Sequence, residues 1–199
     1  MIGKNNTSHL MCCGSSFLLP SPVKTVVKKS RESGYIWGSS TGGNPWSLLL
    51  DNNQKLRKIK IDHKDWIYSI IFTTQDFSGL LQSSKQHGGA SSYRGGKISE
   101  INFDVDEKLI GINGTVGVTT GCHEGFKVIS SLFFFTNKKT DGAFGKPTGT
   151  SFSVPWDAGS FAGFYGRGGL YIDGCSLIQG MCSVIVHIIK IHRFKVYCY

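Results

Sequence analysis

The chain reads as an all-β protein, on three observations: glycine-punctuated runs of aromatic and β-branched residues, the absence of any long helical period, and a faint internal repeat. Its 199 residues contain 26 glycines and 13 phenylalanines, and 40% of them are hydrophobic. That is enough apolar material for one domain with a true core. In chain order, residues 55–74 alternate at Leu56, Ile59 and Ile61 and then run apolar from Trp66 to Phe72. Residues 97–117 alternate again at Ile98, Ile101, Phe103 and Val105, and 126–136 form a further apolar strand. Residues 160–178 read as a closing hairpin around Gly166, Gly168 and Gly169. Gly42-Gly43, Gly88-Gly89 and Gly145 to Gly149 each precede apolar sequence at intervals of roughly 45–60 residues, which suggests three similar β units around one core.

The net charge of +9 invites a nucleic-acid reading until its location is considered. Residues 1–32 hold Lys4, Lys24, Lys28, Lys29 and Arg31 against Glu32 alone, and residues 180–199 hold Lys190, Arg193 and Lys195 with no acid. Seven of the nine net charges therefore fall at the ends and only two on the middle, whereas a folded nucleic-acid binder carries its basic residues on the fold. No nucleic-acid partner is expected. Residues 1–32, polar and with Pro20 and Pro22, are expected to be a flexible extension. The domain is placed at 33–179, and 180–199 is taken as an apolar and basic extension, dispensable for binding, whose Val184–Ile191 run is strongly β-prone.

The six cysteines, Cys12, Cys13, Cys122, Cys175, Cys182 and Cys198, show no metal-type spacing, and four lie outside the expected domain. Reduced thiols in a cytoplasmic protein are expected, since Ser16–Pro20 is too short for a signal-peptide core and Met181–Ile189 falls short of a membrane span. The sequons at Asn5, Asn6 and Asn113 are then expected to stay unmodified. Catalytic chemistry is thin. Cys122-His123-Glu124 are adjacent on a glycine-flanked loop and cannot all face one centre; His63 with Asp62 and Asp65 reads as a solvated hairpin tip. Gly163 to Gly169 lacks the spacing and the strand-to-helix setting of a dinucleotide loop. Trp46, Trp66 and Trp156 read as packing residues, and Lys138-Lys139 as a solvated face. No enzyme, metal or cofactor is expected.

Five segments in order carry a resemblance: Trp37-Gly38 with Gly42-Gly43-Asn44-Pro45-Trp46; Lys97–Ile101; Leu109–Gly114; Leu132–Lys139 with Gly142–Gly145; and Gly163-Phe164-Tyr165-Gly166-Arg167-Gly168-Gly169-Leu170-Tyr171-Ile172-Asp173. Together the sequence resembles the jacalin-related lectins, in the style of their mannose-binding branch. The resemblance implies a β-prism of three four-stranded antiparallel sheets with pseudo-threefold symmetry. It also implies non-covalent binding of mannose- or glucose-type glycan ends.

That resemblance places a sugar pocket at Gly43, Gly169, Leu170, Tyr171 and Asp173. The chemistry suits these residue types. A carboxylate accepts two hydroxyl hydrogen bonds with charge assistance, and backbone N–H groups at Leu170 and Tyr171 donate. Glycine at 43 and 169 admits main chain where any Cβ would collide. Tyr171 is expected to offer its ring to the sugar's C–H face. The first loop, Gly38–Gly43, is longer and less glycine-rich than is usual in the family. A second Gly-x-x-x-Asp loop known in the mannose-binding branch falls here on Lys64-Asp65-Trp66-Ile67-Tyr68, without glycine or terminal carboxylate, so one site per domain is expected. Glycans are the expected partners, with oligomerisation of this chain as one route to avidity. The alternative is a β-prism interaction module that binds sugar weakly or not at all.

Overall fold

The computed structural model describes residues 30–32, 35–51, 53–91, 95–156 and 161–180. Three antiparallel sheets, each a path of four strands, enclose one core. Each sheet is built on a central hairpin of the long strands anticipated from the sequence. They are β4 (Lys55–His63) with β5 (Ile67–Gln75), β9 (Leu109–Val118) with β10 (Lys127–Thr136), and β13 (Phe161–Gly168) with β14 (Ile172–Gly180). An outer strand lies against the first member of each pair: β8 (Lys97–Asn102) on β4, β12 (Thr150–Pro155) on β9, and β3 (Asn44–Leu49) on β13.

The second member of each pair receives the remaining strands. These are β6 (Leu81–Ser83) and β7 (His87–Gly88) on β5, β11 (Thr140–Gly145) on β10, and β1 (Ser30–Glu32) with β2 (Trp37–Gly38) on β14. The three sheets repeat one plan, which is the β-prism that the resemblance implies. The sheet holding β1 to β3, β13 and β14 joins both ends of the described chain.

One detail differs from the expected boundaries. Ser30, Arg31 and Glu32, assigned to the flexible extension, pair with Gly180, Gln179 and Ile178, so the ordered sheet reaches three residues further toward the N-terminus. Gly180, assigned to the tail, ends β14. The rest of both extensions, including Val184–Ile191 and four of the six cysteines, lies outside the described residues. Among the described residues Cys122 is exposed and Cys175 buried, both free, and burial pushes the Cys175 thiol up to about 12. No helix among them is long and apolar enough to cross a membrane.

Period-two alternation drives the packing. Ile59 and Ile61 of β4, Ile101 of β8, Ile112 of β9, Leu132 and Phe134 of β10, and Ile172 and Leu177 of β14 all point inward and are buried. Phe72 and Phe164 stack at 4.9 Å, joining two of the sheets, and Trp37 stacks on Phe152 at 5.2 Å to join another two. Each such side chain contributes about 1.5–3 kcal/mol by leaving water. Trp46 is buried against His87 at 4.6 Å, and Trp156 donates its indole N–H to the Leu109 carbonyl at 2.8 Å, so both are packing residues as read. Lys138 pairs with Asp104 and Asp106 at the surface.

His63 corrects an expectation. It is buried, not a solvated tip: its Nδ1 accepts the Gly145 N–H at 2.9 Å and its Nε2 meets Ser99 Oγ at 2.9 Å. Burial, helped by Lys97, lowers its pKa and keeps the ring neutral, as the acceptor role requires. Asp65 is exposed as anticipated, while Asp62 accepts the Ser91 N–H at 3.0 Å.

Gly38, Gly88 and Gly145 occupy equivalent places in the three sheets, with φ of 103°, 89° and 78°. A Cβ on any of them would collide with a carbonyl oxygen of the neighbouring strand, that of Asp173, Tyr68 or Ser130 respectively. Gly145→Ala is therefore expected to lower unfolding free energy by at least about 2 kcal/mol, from strain plus collision. Gly125→Ala has a similar φ of 91° but open space around it, and should cost only about 1 kcal/mol. Urea unfolding of the two variants checks the difference.

Candidate functional site

The site forms where the turn between β13 and β14 meets the loop leading into β3. Gly169 opens the turn and its N–H bonds the Tyr171 carbonyl at 2.9 Å. Asp173 follows on β14, 7% exposed, while Gly43 and Gly169 on either side of its carboxylate lie open to solvent. A Cβ at Gly43 would strike Asp173 Oδ2 and the Gly168 backbone, and one at Gly169 would come 3.5 Å from the same oxygen. Gly43 also has φ of 54°, so both space and conformation call for glycine there. The structure thus brings together Gly43, Gly169 and Asp173, three of the five residues singled out from sequence, across more than 120 positions of chain.

The other two divide. Leu170 stands at the tip of the turn, 47% exposed, with its backbone close over Gly89. Tyr171 does not present its ring as expected. The ring is buried, stacked on Tyr68 at 5.6 Å and edge-on to His123 at 6.3 Å. Its ring seats the turn through packing. Apolar burial of a large ring outweighs exposing it as a platform when a neighbouring tyrosine offers a stacking face.

The Asp173 carboxylate is poised for a donor. Its Oδ2 is buried and makes no hydrogen bond of good geometry. Burial is the main influence and raises its pKa above the ordinary aspartate value, while the Gly169 N–H and the Arg167 guanidinium pull the other way. A buried acceptor without a donor costs stability unless a ligand completes it.

Two residues that sequence reasoning passed over hold the first loop in place. Arg167, on β13, donates from Nε to the Gly42 carbonyl at 2.6 Å and from Nη2 to the Gly43 carbonyl at 2.7 Å. Ser39 accepts the Gly42 N–H on its Oγ at 2.8 Å and donates its own N–H to the Asp173 carbonyl at 2.7 Å. This accounts for how a longer, less glycine-rich loop still closes over Asp173. The available signal was a single arginine set in the glycine string Gly166-Arg167-Gly168-Gly169.

The threefold plan shows the carboxylate used once among the described residues. Gly38, Gly88 and Gly145 face Asp173, Tyr68 and Ser130, all three buried. Tyr68 fills its slot by stacking on Tyr171, and the Ser130 hydroxyl donates to the Thr148 carbonyl at 2.7 Å. The Cys122-His123-Glu124 stretch sits on a loop with a short 3-10 turn, Gly121–His123, and no metal-binding cluster occurs among the described residues.

A β-prism carrying one glycine-framed carboxylate at the end of a hairpin defines a lectin-type fold. Residues 35–176 match the jacalin-like lectin domain, and the chain belongs to that family. It is 37% identical over 142 residues to a mannose/glucose-specific lectin of Parkia pendula, covering 71% of this chain and 30% of that one. The chain spans less than half the length of this and of the Parkia platycephala and Castanea crenata lectins that it also matches. Among solved structures, it is similar to a mannose-specific jacalin-related lectin from Morus nigra in complex with mannose. The TM-score is 0.65 at 31% identity, with 81% of this chain and all of that one covered. It is also similar to wild-type Malaysian banana lectin, with a TM-score of 0.63 at 30% identity over 77% of this chain and 98% of that one.

Arg167→Met should free the first loop and weaken ligand binding several-fold, with little change in unfolding midpoint because the half-buried guanidinium bonds to the loop's carbonyls, chiefly Gly42 and Gly43. Calorimetric titration beside thermal unfolding separates the two effects. Because burial already disfavours the Asp173 carboxylate, Asp173→Asn is expected to leave stability at neutral pH unchanged or slightly higher. The sign follows from linkage: a raised acid pKa costs the fold stability once the pH exceeds the unfolded value, and the amide removes that cost.

Proposed function

We propose that the chain is a carbohydrate-binding lectin that takes mannose- or glucose-type glycan ends at Asp173, with no covalent step. The observation that carries this is the unpartnered Asp173 Oδ2 framed by Gly43 and Gly169. Sugar hydroxyls supply the missing donors, and the carboxylate holds them with charge assistance. The backbone N–H groups of Leu170 and Tyr171 donate to the ring oxygen and the exocyclic hydroxyl. Gly43 brings a further N–H from the first loop. The mannose or glucose preference is supported by the relatives' own descriptions.

A handful of hydrogen bonds worth about 0.5–1.5 kcal/mol each places a monosaccharide Kd in the high-micromolar to millimolar range. Useful avidity then comes from clustered glycans or from more than one copy of the domain. The protein should bind mannose-agarose and elute with free mannose, and Asp173→Asn should flow through while keeping its unfolding transition. Binding should also fade as pH falls through a midpoint above the ordinary aspartate range, since only the ionised carboxylate accepts two hydroxyls. Retention of Asp173→Asn on the resin, or a glycan array dominated by terminal galactose, would reject this assignment.

A further inference from the structure

A buried histidine underlies the glycine frame around Asp173. His87, the first residue of β7, is 5% exposed. Its ring stacks on the Trp46 indole at 4.6 Å, with the planes 21° apart, and lies against Phe72 at 6.1 Å. Its Nε2 is buried and has no hydrogen-bond partner among the described residues.

Both halves of the frame bear on this ring. Gly88, the next residue, packs on the turn of the site: a Cβ at Gly168 would come 3.0 Å from the Gly88 nitrogen. Gly89 lies under Leu170, where a Cβ would come 2.8 Å from the Leu170 carbonyl oxygen. On the other side, Trp46 stands three residues beyond Gly43 on β3. β7 is only two residues long, paired with Ser69 and Ile70 of β5, and the Gly89 N–H bonds the Tyr68 carbonyl at 3.0 Å. Gly88 has no side chain, so His87 is the one anchor that β7 drops into the core. An element with so few bonds opens locally once its anchor is disturbed.

The anchor suits one protonation state. Burial lowers the His87 pKa, with help from Lys85, so the ring is neutral at pH 7. The ionisable groups on the elements packed around it are Tyr68 on β5, Tyr165 and Arg167 on β13, and Asp173 and Cys175 on β14; β3 has none. No carboxylate is among the influences that shift it. A proton on the ring would bury a charge, and the indole face offsets that cost only weakly. Lifting β7 relieves it, because the freed ring regains its ordinary affinity for a proton. We infer that His87 is a positioning residue for the Asp173 site, seating the Gly168–Leu170 turn and the Gly43 loop only while its ring is neutral. The inference rests on the proposed function for its ligand, while the proton-driven lifting of β7 is measured without any sugar. By linkage, the seat is intact above the ordinary histidine value and weakens as the pH falls below it, the lifted form growing by up to about tenfold per pH unit.

The test is amide hydrogen exchange of the full chain without sugar, followed by NMR at pH 6.5 and pH 5 and expressed as protection relative to the unfolded chain at each pH. Protection of the Gly89 N–H, bonded to Tyr68, and of the Gly169 N–H, bonded to Tyr171, should fall at least threefold at the lower pH. In His87→Phe, which keeps an aromatic ring against Trp46, and in His87→Gln, which keeps a polar group, that fall should vanish. The Gly145 N–H, which donates to His63, should keep its own pH response in both variants. Affinity for methyl α-mannoside should drop between the two pH values at least threefold more in the wild type than in either variant, the remainder belonging to Asp173. Unchanged protection of Gly89 and Gly169 in the wild type would overturn the proposal. So would a loss of protection that persists in both variants, or a wild-type affinity that follows the same pH curve as theirs. A proton response that vanishes in the variants, in a protein that binds no mannoside at either pH, would support the His87 seat and reject the Asp173 reading instead.

Discussion

The end of the molecule that holds Asp173 depends on one constraint: two stretches of main chain approach so closely there that no side chain fits between them. Gly38 lies against the Asp173 carbonyl and Gly43 against its carboxylate, and neither position has room for a Cβ. The same close approach recurs at Gly88 and Gly145, where it welds the outer strands β7 and β11 to the central hairpins. Glycine thus does two things in this fold. It permits the backbone geometry that closes each sheet, and in one sheet it sets a buried carboxylate inside a frame of main chain.

What fills the three equivalent slots decides the chemistry of each. Asp173 costs the fold something, as its raised pKa records, and keeps an acceptor in reserve. Tyr68 and Ser130 contribute to stability instead, one through a ring stack and one through a hydroxyl bond to the Thr148 carbonyl. The repeat is therefore kept in the backbone and released in the side chains. Arg167 and Ser39 complete the division of labour, since they hold the first loop through its main chain.

The class of the fold was legible because the long hairpin strands alternate with period two and their glycines fall at regular intervals. Asp173, Gly43 and Gly169 were legible because they lie in ordered strings, Gly-x-x-x-Asp and Gly-Gly, whose chemistry is local. Contacts between distant segments were not. His63 looks like a polar tip until Gly145, 82 residues away, arrives to donate to it. Tyr171 looks like a sugar platform until Tyr68 supplies a better partner. Arg167 shows no role until the Gly42 and Gly43 carbonyls turn toward it from 125 and 124 residues away. Ser30–Glu32 is too short and polar to declare itself as a strand without Ile178–Gly180 beside it.

The sheet that holds Asp173 is stitched from the first and last strands of the described chain. Synthesis delivers Asp173 more than a hundred residues after Gly43, so the glycine frame around the carboxylate is assembled only as the domain closes. Contacts of such sequence separation form late and slowly relative to hairpins. The frame around Asp173 accordingly cannot exist before the first and last strands of the described chain share a sheet, so its presence reports that the ring of sheets has been sealed.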